Sequence, residues 1–518
     1  MLKRSLTKLT AVAVLAVTMT ACAVNPVTGK NEIKLVSESQ EMAIGKKNYG
    51  PTRQAQGGDY VIEPELTRYV KSVGARLAEV ADRKLPYEFS VINDSSPNAW
   101  ALPGGKISIN RGLLVELRSE AELAAVLAHE IVHAAARHSA QAMERGMFLQ
   151  GALVAAGVAL GGSDYRDIGM LGANIGAQLT NQKFGRDDET EADLYGIRYM
   201  IRAGYDPAAA VGLQETFLRL SEDKDPNWLA GFFASHPPSR QRVLANRALV
   251  AELGNPGGEV GERRYQRAIA RLKRNKPAYE AHDEARKALK NRQLELAEQK
   301  ISEAIRIEPK EAAFHSLRGE IRAARDDKKG ALRALNRAVG LNPDYYRPVL
   351  VRGLTRREAG DVSGASRDLE RSIALLPTAE AYYGLGRVAE VRGRRDDAVK
   401  HFRKAATSKS SIGTSAGERL ARLDLADNPG RYIGTALGLT KQGYLAVKVS
   451  NNSALAVDNV RVVVGVRTGN AIREQSSLRL RRGLKAGQSV VVTTDLGPMK
   501  AATARRYAAM VSAARPAR

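Results

Sequence analysis

Apolar and polar positions change their rhythm several times along this 518-residue chain. At the start, Lys3, Arg4 and Lys8 precede an apolar run from Leu9 to Met19 that is too short to span a bilayer, so residues 1–22 read as an export signal. Ile107-Ser108-Ile109 alternates as a strand should, after a turn at Gly104-Gly105. Ser119 to Ala128 is a run of strong helix formers without Gly or Pro. Gln150 to Gly162 is the next most apolar stretch, and its glycines and length argue for a buried or lid helix rather than a membrane span. From about Tyr432 the rhythm becomes that of β-branched strands. The runs are Tyr444–Ser450, Val460–Val466 and Ser489–Thr494, with turn signals at Asn451-Asn452-Ser453 and Lys485–Gln488.

Between these regions the pattern repeats. Pro309, Pro343 and Pro377 recur every 34 residues. Gly319, Ala331 and Ala338 lead up to Pro343, as Gly353, Ala365 and Ser372 lead up to Pro377. Ala285, Ala297 and Ala304 precede this register, and Gly386, Ala398 and Ala405 follow it. Small residues let paired helices approach, and Pro ends the second helix. The period resembles that of tetratricopeptide repeats, four of them over 278–411. The predicted architecture is multidomain. A mainly α domain with a small β-sheet covers 23–250, and a linker and connecting helix cover 251–277. An α-solenoid follows over 278–411, and a loosely Ig-like β-sandwich over 430–518.

The candidate chemistry lies in His129-Glu130-Ile131-Val132-His133. On a helix, positions four apart share a face, so both imidazoles can reach one metal ion. Glu130 is one step round, placed to hold a water rather than the metal. That arrangement suits zinc hydrolysis, with one zinc ion per chain. A catalytic zinc needs a third protein ligand. Glu189 and Asp193 are four apart in Glu189-Thr190-Glu191-Ala192-Asp193, 56 residues after His133. Glu189 then serves as ligand and Asp193 accepts an N–H from a metal-bound imidazole. An acidic first helical turn explains the same residues, but the need for a third donor favours the ligand reading. His138 reads as a cation at the helix C-terminus.

HExxH followed by a distant ExxAD resembles the HtpX and CAAX-prenyl-protease type of zinc metallopeptidase, a gluzincin branch. Asn98-Ala99-Trp100-Ala101-Leu102-Pro103-Gly104-Gly105 is similar to that family's strand upstream of the zinc helix, with Trp100 in place of the usual Phe. His236-Pro237-Pro238-Ser239-Arg240-Gln241-Arg242 is similar to its H-P-x-x-x-x-R element. The resemblance covers about residues 25–250 and implies that the 23–250 domain is a zincin-like metallopeptidase. It implies that Asn98, Ala99 and Trp100 belong to a substrate-binding edge strand. It also implies that His236 and Arg242 line the pocket, where His236 either stabilises the oxyanion or fills the open zinc position. The sequence is compatible with both roles.

Met19-Thr20-Ala21-Cys22 resembles a bacterial lipobox, and Cys22 is the only cysteine in the chain. Lipidation of Cys22 accounts for it, and Ala23 in the next position resembles sorting to the outer membrane of a Gram-negative bacterium, facing the periplasm. Net charge is +24. Export and the lack of aromatics among the basic helices argue against nucleic acid. Attraction to an anionic membrane and plainly solvated helix faces both fit the charge. The layout resembles the BepA-like periplasmic protease-chaperones. It implies a lipid-anchored zinc endopeptidase acting on misfolded or stalled envelope proteins, with the repeats holding substrates or outer-membrane assembly machinery. The alternative is an assembly scaffold whose peptidase site is silent.

Overall fold

The computed structural model describes residues 22–146, 184–223, 236–468 and 471–517. Residues 1–21 of the predicted export signal and the 150–162 run lie outside the described residues. The chain forms two compact units, one reaching to Ile321 and including Gly340–Tyr345, the other made of Arg322–Val339 and the chain from Tyr346 onward.

The first unit begins with a hairpin, β1 (Cys22–Val24) and β2 (Asn31–Ile33), followed by α1 (Glu38–Ala55) and α2 (Pro64–Glu79). Ser37 and Gln40 form a capping box for α1, and Pro64 opens α2 with its φ already helical. Leu66, Val70, Val73 and Leu77 form the buried stripe of α2. A three-stranded sheet follows: β3 (Glu88–Ile92), β4 (Ala99–Leu102) and β5 (Lys106–Asn110), in the order β3-β5-β4. β3 runs parallel to β5 and β4 antiparallel to it, which puts β4 on an edge. Gly104 and Gly105 make the β4–β5 turn at φ 76° and 78°, a region open to glycine at little cost.

Four helices build the rest of the catalytic half: α3 (Glu120–Ala135), α4 (Arg186–Arg202), α5 (Ala208–Asp223) and α6 (Arg240–Glu252). Ser119 caps α3, its side chain accepting from Glu122 N. Then come α7 (Glu262–Ala268), α8 (Ala270–Lys290) and α9 (Leu294–Ile307). One hydrophobic core runs from the sheet through α3 to Tyr265, Leu272, Tyr279, Ile301 and Phe314. Tyr265 Oη donates to Leu114 O at 2.6 Å, and Tyr279 Oη to Glu311 Oε2 at 2.9 Å. A division at 277/278 therefore falls inside α8. The opening helices of the repeat region belong to the same compact unit as the catalytic half, and within 251–277 the chain runs into α7 and the start of α8.

Helices α10 (Ala312–Ala324) and α11 (Lys328–Leu341) cross the division between units. The second unit continues with α12 (Tyr346–Glu358), α13 (Val362–Leu375), α14 (Ala379–Val391), α15 (Arg395–Ala405) and α16 (Ser411–Asp424). The small residues of the 34-residue register are buried at their contacts, among them Ala365, Ala398 and Ala405. The C-terminal strands are β6 (Ile433–Leu439), β7 (Leu445–Asn451), β8 (Val457–Thr468), β9 (Ala471–Arg479), β10 (Ser489–Thr493) and β11 (Tyr507–Pro516). They form two antiparallel three-stranded sheets, β10-β7-β6 and β11-β8-β9, around Val447, Val449, Val462, Val464 and Val511. β6, β9 and β11 have no counterpart among the strands legible in the sequence; β9 is mostly exposed and β11 is alanine-rich, so neither alternates sharply. Among the described residues, no helix is long and apolar enough to cross a membrane.

Candidate metal centre

Helices α3 and α4 pack together where Gly196 faces the backbone of His129. A Cβ on Gly196 would sit 3.3 Å from His129 N, so a larger residue would push the helices apart. This contact sets Glu189 and Asp193 against the histidine face of α3. His129 Nε2 and His133 Nε2 lie 3.0 Å apart. Glu189 reaches both, Oε1 at 3.4 Å from His133 Nε2 and Oε2 at 3.6 Å from His129 Nε2. His236, in the loop before α6, completes the cluster: its Nδ1 is 2.8 Å from Glu189 Oε1 and 3.2 Å from His129 Nε2. One donor atom from each of the four residues falls within 4.8 Å of the others, and all four residues are buried. Three nitrogens and a carboxylate oxygen, converging in a buried site, make a donor set that fits a zinc-sized divalent ion.

The outer nitrogens of the two α3 imidazoles are held separately. His129 Nδ1 lies 3.0 Å from Asp193 Oδ1. Arg242 clamps Asp193 from behind with Nε and Nη2, both at 2.7 Å, and sets Nη1 2.8 Å from Glu189 Oε2. Arg242 is thus committed to two carboxylates, which makes it a brace of the ligand set. His133 Nδ1 lies 2.8 Å from His138 Nδ1, and His138 Nε2 lies 3.2 Å from Glu191 Oε1. With His133 Nε2 turned to a metal, its Nδ1–H donates to His138, whose Nε2–H donates to Glu191. His138 is therefore a buried hydrogen-bond partner of His133 and Glu191. Phe184 stacks on His133, ring centroids 4.1 Å apart. No pattern in the sequence marked Phe184, Gly196 or the link from His138 to Glu191.

Glu130 is fully buried, and neither carboxylate oxygen has a hydrogen-bond partner. The nearest charged neighbour is His236 Nε2, 3.5 Å from Oε1. Burial pushes the Glu130 carboxyl above the ordinary range. Burial also presses on Glu189, but His236, His133 and His129 outweigh it and hold that carboxyl well below the usual value. Asn98, Ala99 and Trp100 lie at the start of β4 and along it; Trp100 Nε1 donates to Gln56 Oε1 at 2.7 Å. Among the described residues, no strand pairs with β4 on its outer side. Cys22 begins β1, away from this cluster in sequence.

Known proteins are similar to this chain in sequence. Residues 64–250 match peptidase family M48, and 282–346 and 350–411 match tetratricopeptide repeats. The chain carries a family M48 metallopeptidase domain followed by a tetratricopeptide array. It is 33% identical over 200 residues to the beta-barrel assembly-enhancing protease of Escherichia coli K12, covering 37% of this chain and 40% of that protein. Over 223 residues it is 34% identical to the mitochondrial metalloendopeptidase OMA1 of Schizosaccharomyces pombe, covering 42% of this chain and 63% of that protein. The metalloprotease YcaL of E. coli K12 is 28% identical over 230 residues, 43% of this chain and 86% of its own length. The match spans about two fifths of the length of the beta-barrel assembly-enhancing proteases.

Proposed function

We propose that the protein is a zinc-dependent endopeptidase, exported, anchored through a lipid on Cys22 and facing the periplasm from the outer membrane. Its substrates are misfolded or stalled envelope proteins, with the tetratricopeptide array holding substrates or assembly partners. The observation that carries this reading is the buried convergence of His129, His133, Glu189 and His236 beside an acid, Glu130, that has no hydrogen-bond partner. Similarity to a protease named for β-barrel assembly supports the substrate class.

His129, His133 and Glu189 would hold the zinc, with Asp193, Arg242 and His138 fixing their orientation. When bound, zinc supplies Lewis acidity that polarises the scissile carbonyl and acidifies water. Glu130 takes the proton of the attacking water at its carboxylate and returns it to the departing amine nitrogen. A buried acid whose pKa is pushed up suits both halves of that shuttle. β4, an edge strand, offers its outer backbone groups to an extended peptide.

A second reading, a scaffold with a self-blocked peptidase, draws on His236. Its Nδ1 lies among the ligand atoms, where a fourth imidazole would take the place of water. Zinc content and casein cleavage, compared between wild type and Glu130→Gln, test the first reading. Zinc-loaded wild type with no cleavage, and cleavage appearing in His236→Ala, would support the second.

A further inference from the structure

The β1–β2 hairpin has two unlike faces. Its inner side is tied to the end of the metal helix. Asn25 Nδ2 donates to Ala136 O at 3.0 Å, the carbonyl three residues beyond His133. Glu32 accepts from Arg137 Nη1 at 2.6 Å and from Gln141 Nε2 at 2.5 Å. Arg137 is 2% exposed, donates from Nη2 to Val36 O at 2.9 Å and also meets Glu41 and Glu144. Glu144 Oε1 in turn accepts from Leu35 N and Val36 N at 3.0 and 2.8 Å. A buried guanidinium shared among three carboxylates and a carbonyl holds this segment in one position.

The outer side is apolar and uncovered. Val24 is 61% exposed, Ile33 51% and Leu35 41%. Single exposed aliphatics are ordinary, but three of the eleven large hydrophobics exposed among the described residues fall within these twelve positions. The register pairs Val24 with Asn31 and Cys22 with Ile33, so the apolar positions line up with the start of the strand. Lys30 at the turn is exposed, and Lys34 lies between Ile33 and Leu35 in sequence. Glu32, the acid between them, is turned inward and paired with Arg137. The outward composition is thus aliphatic with an exposed lysine at the turn, which matches the boundary of an anionic bilayer. The stretch read as the export signal leads directly into this strand, which begins at Cys22.

We propose that the outer face of the β1–β2 hairpin, with Val24, Ile33 and Leu35 inserted and Lys30 at the headgroups, rests on an anionic membrane surface and holds the end of the metal helix there. The inference rests on the proposed lipid anchor at Cys22, with which the hairpin would act as a second contact. A lipid alone is a swivel; a tether and a seated hairpin together fix which side of the peptidase faces the membrane.

The test uses the full chain with single cysteines at Val24→Cys, Ile33→Cys and, as a control on an exposed helix end, Lys290→Cys. A lipidated Cys22 has no free thiol to compete. Each protein is labelled with a charged maleimide in detergent and in vesicles of phosphatidylethanolamine and phosphatidylglycerol. Labelling at positions 24 and 33 is expected to slow about tenfold in vesicles, with position 290 unchanged, as insertion at the interface requires. Equal rates at all three positions in a chain shown by acyl labelling to be lipidated would overturn the seated face and leave the anchor standing. If acyl labelling shows no lipid, the Cys22→Ser forms are mixed with the same vesicles. Protection at 24 and 33 then supports the face without the tether, and no protection overturns it. Slow labelling of the Cys22→Ser forms without any lipid would mean that another part of the chain covers the face, which also overturns the proposal.

Discussion

Helix α3 and the helices of the repeat array all pack through alanine and other apolar residues, yet they are buried in different ways. Every residue of α3 from Glu120 to Ala135 is buried, whereas α9 buries only Ala297, Ile301 and Ala304, and α15 only Ala398, Phe402 and Ala405. A helix buried along one stripe needs only shape, and its polar residues stay in water. A helix buried all round must find a partner for each polar group it carries. In α3, Glu120 accepts from Tyr69 and Tyr205 at 2.6 and 2.9 Å, and Glu122 from Arg118 N and Nε at 2.6 and 2.7 Å. His129 has Asp193 and His133 has His138. Glu130 alone in this helix has no hydrogen bond to either carboxylate oxygen. It is to this group that the proposed general-base role is assigned.

That contrast can be tested by substitution on each side of it. Glu130→Gln keeps the side-chain shape and should retain zinc by metal analysis while lowering casein cleavage by about a hundredfold to ten-thousandfold, the scale of a lost general base. Undiminished cleavage would remove Glu130 from the mechanism and the contrast with it. In the array, Phe402→Ala should cost about 3–5 kcal/mol, as for other fully buried aromatic rings, read as a shift of the array's urea transition. Zinc content should not change, because an array substitution acts through packing.

His138→Ala sharpens the comparison from inside the site. It should lower zinc affinity by about ten- to a hundredfold, as loss of a group that orients a ligand does, measured by competition with a chromophoric chelator. Glu191→Ala, one hydrogen bond further out, should cost less, and Glu189→Ala more than either. If Glu191→Ala weakened zinc more than Glu189→Ala, the third ligand would be misassigned. The smallest effects are expected at the caps. Ser119→Ala and Thr378→Ala each remove one bond to a helix N–H, at 3.1 Å to Glu122 N and 3.2 Å to Ala381 N. Each should destabilise by about 1 kcal/mol in thermal or urea unfolding. A loss of zinc affinity in Ser119→Ala would mean that the start of α3 helps to hold its metal-binding end.

The same contrast explains what could be read in advance. His129 and His133 are four apart on one helix, and Glu189 and Asp193 four apart on another, so the face each pair shares follows from helical geometry alone. The repeat register was legible because one-sided burial leaves a periodic trace, and β7, β8 and β10 were legible from β-branched runs. The weakly alternating β6, β9 and β11 left no such trace. The start of the repeat region did not show itself as a structural joint either, because α8 carries buried residues such as Leu272, Tyr279 and Ala281 into the catalytic unit's core, and core membership is not written in local spacing.

What the sequence determined by itself, then, is local: two pairs of side chains four apart, His129 with His133 and Glu189 with Asp193, and a repeating helical register, each set by spacing along one element. What only the tertiary structure decided is which distant groups meet. Arg242 turned to Asp193 and Glu189, His138 joined to Glu191, Gly196 pressed on His129, and the hairpin's Glu32 bound to Arg137 are all contacts between separate elements. Such contacts arise when burial removes water and forces each polar group to find a partner in three dimensions, a requirement that no spacing along the chain records.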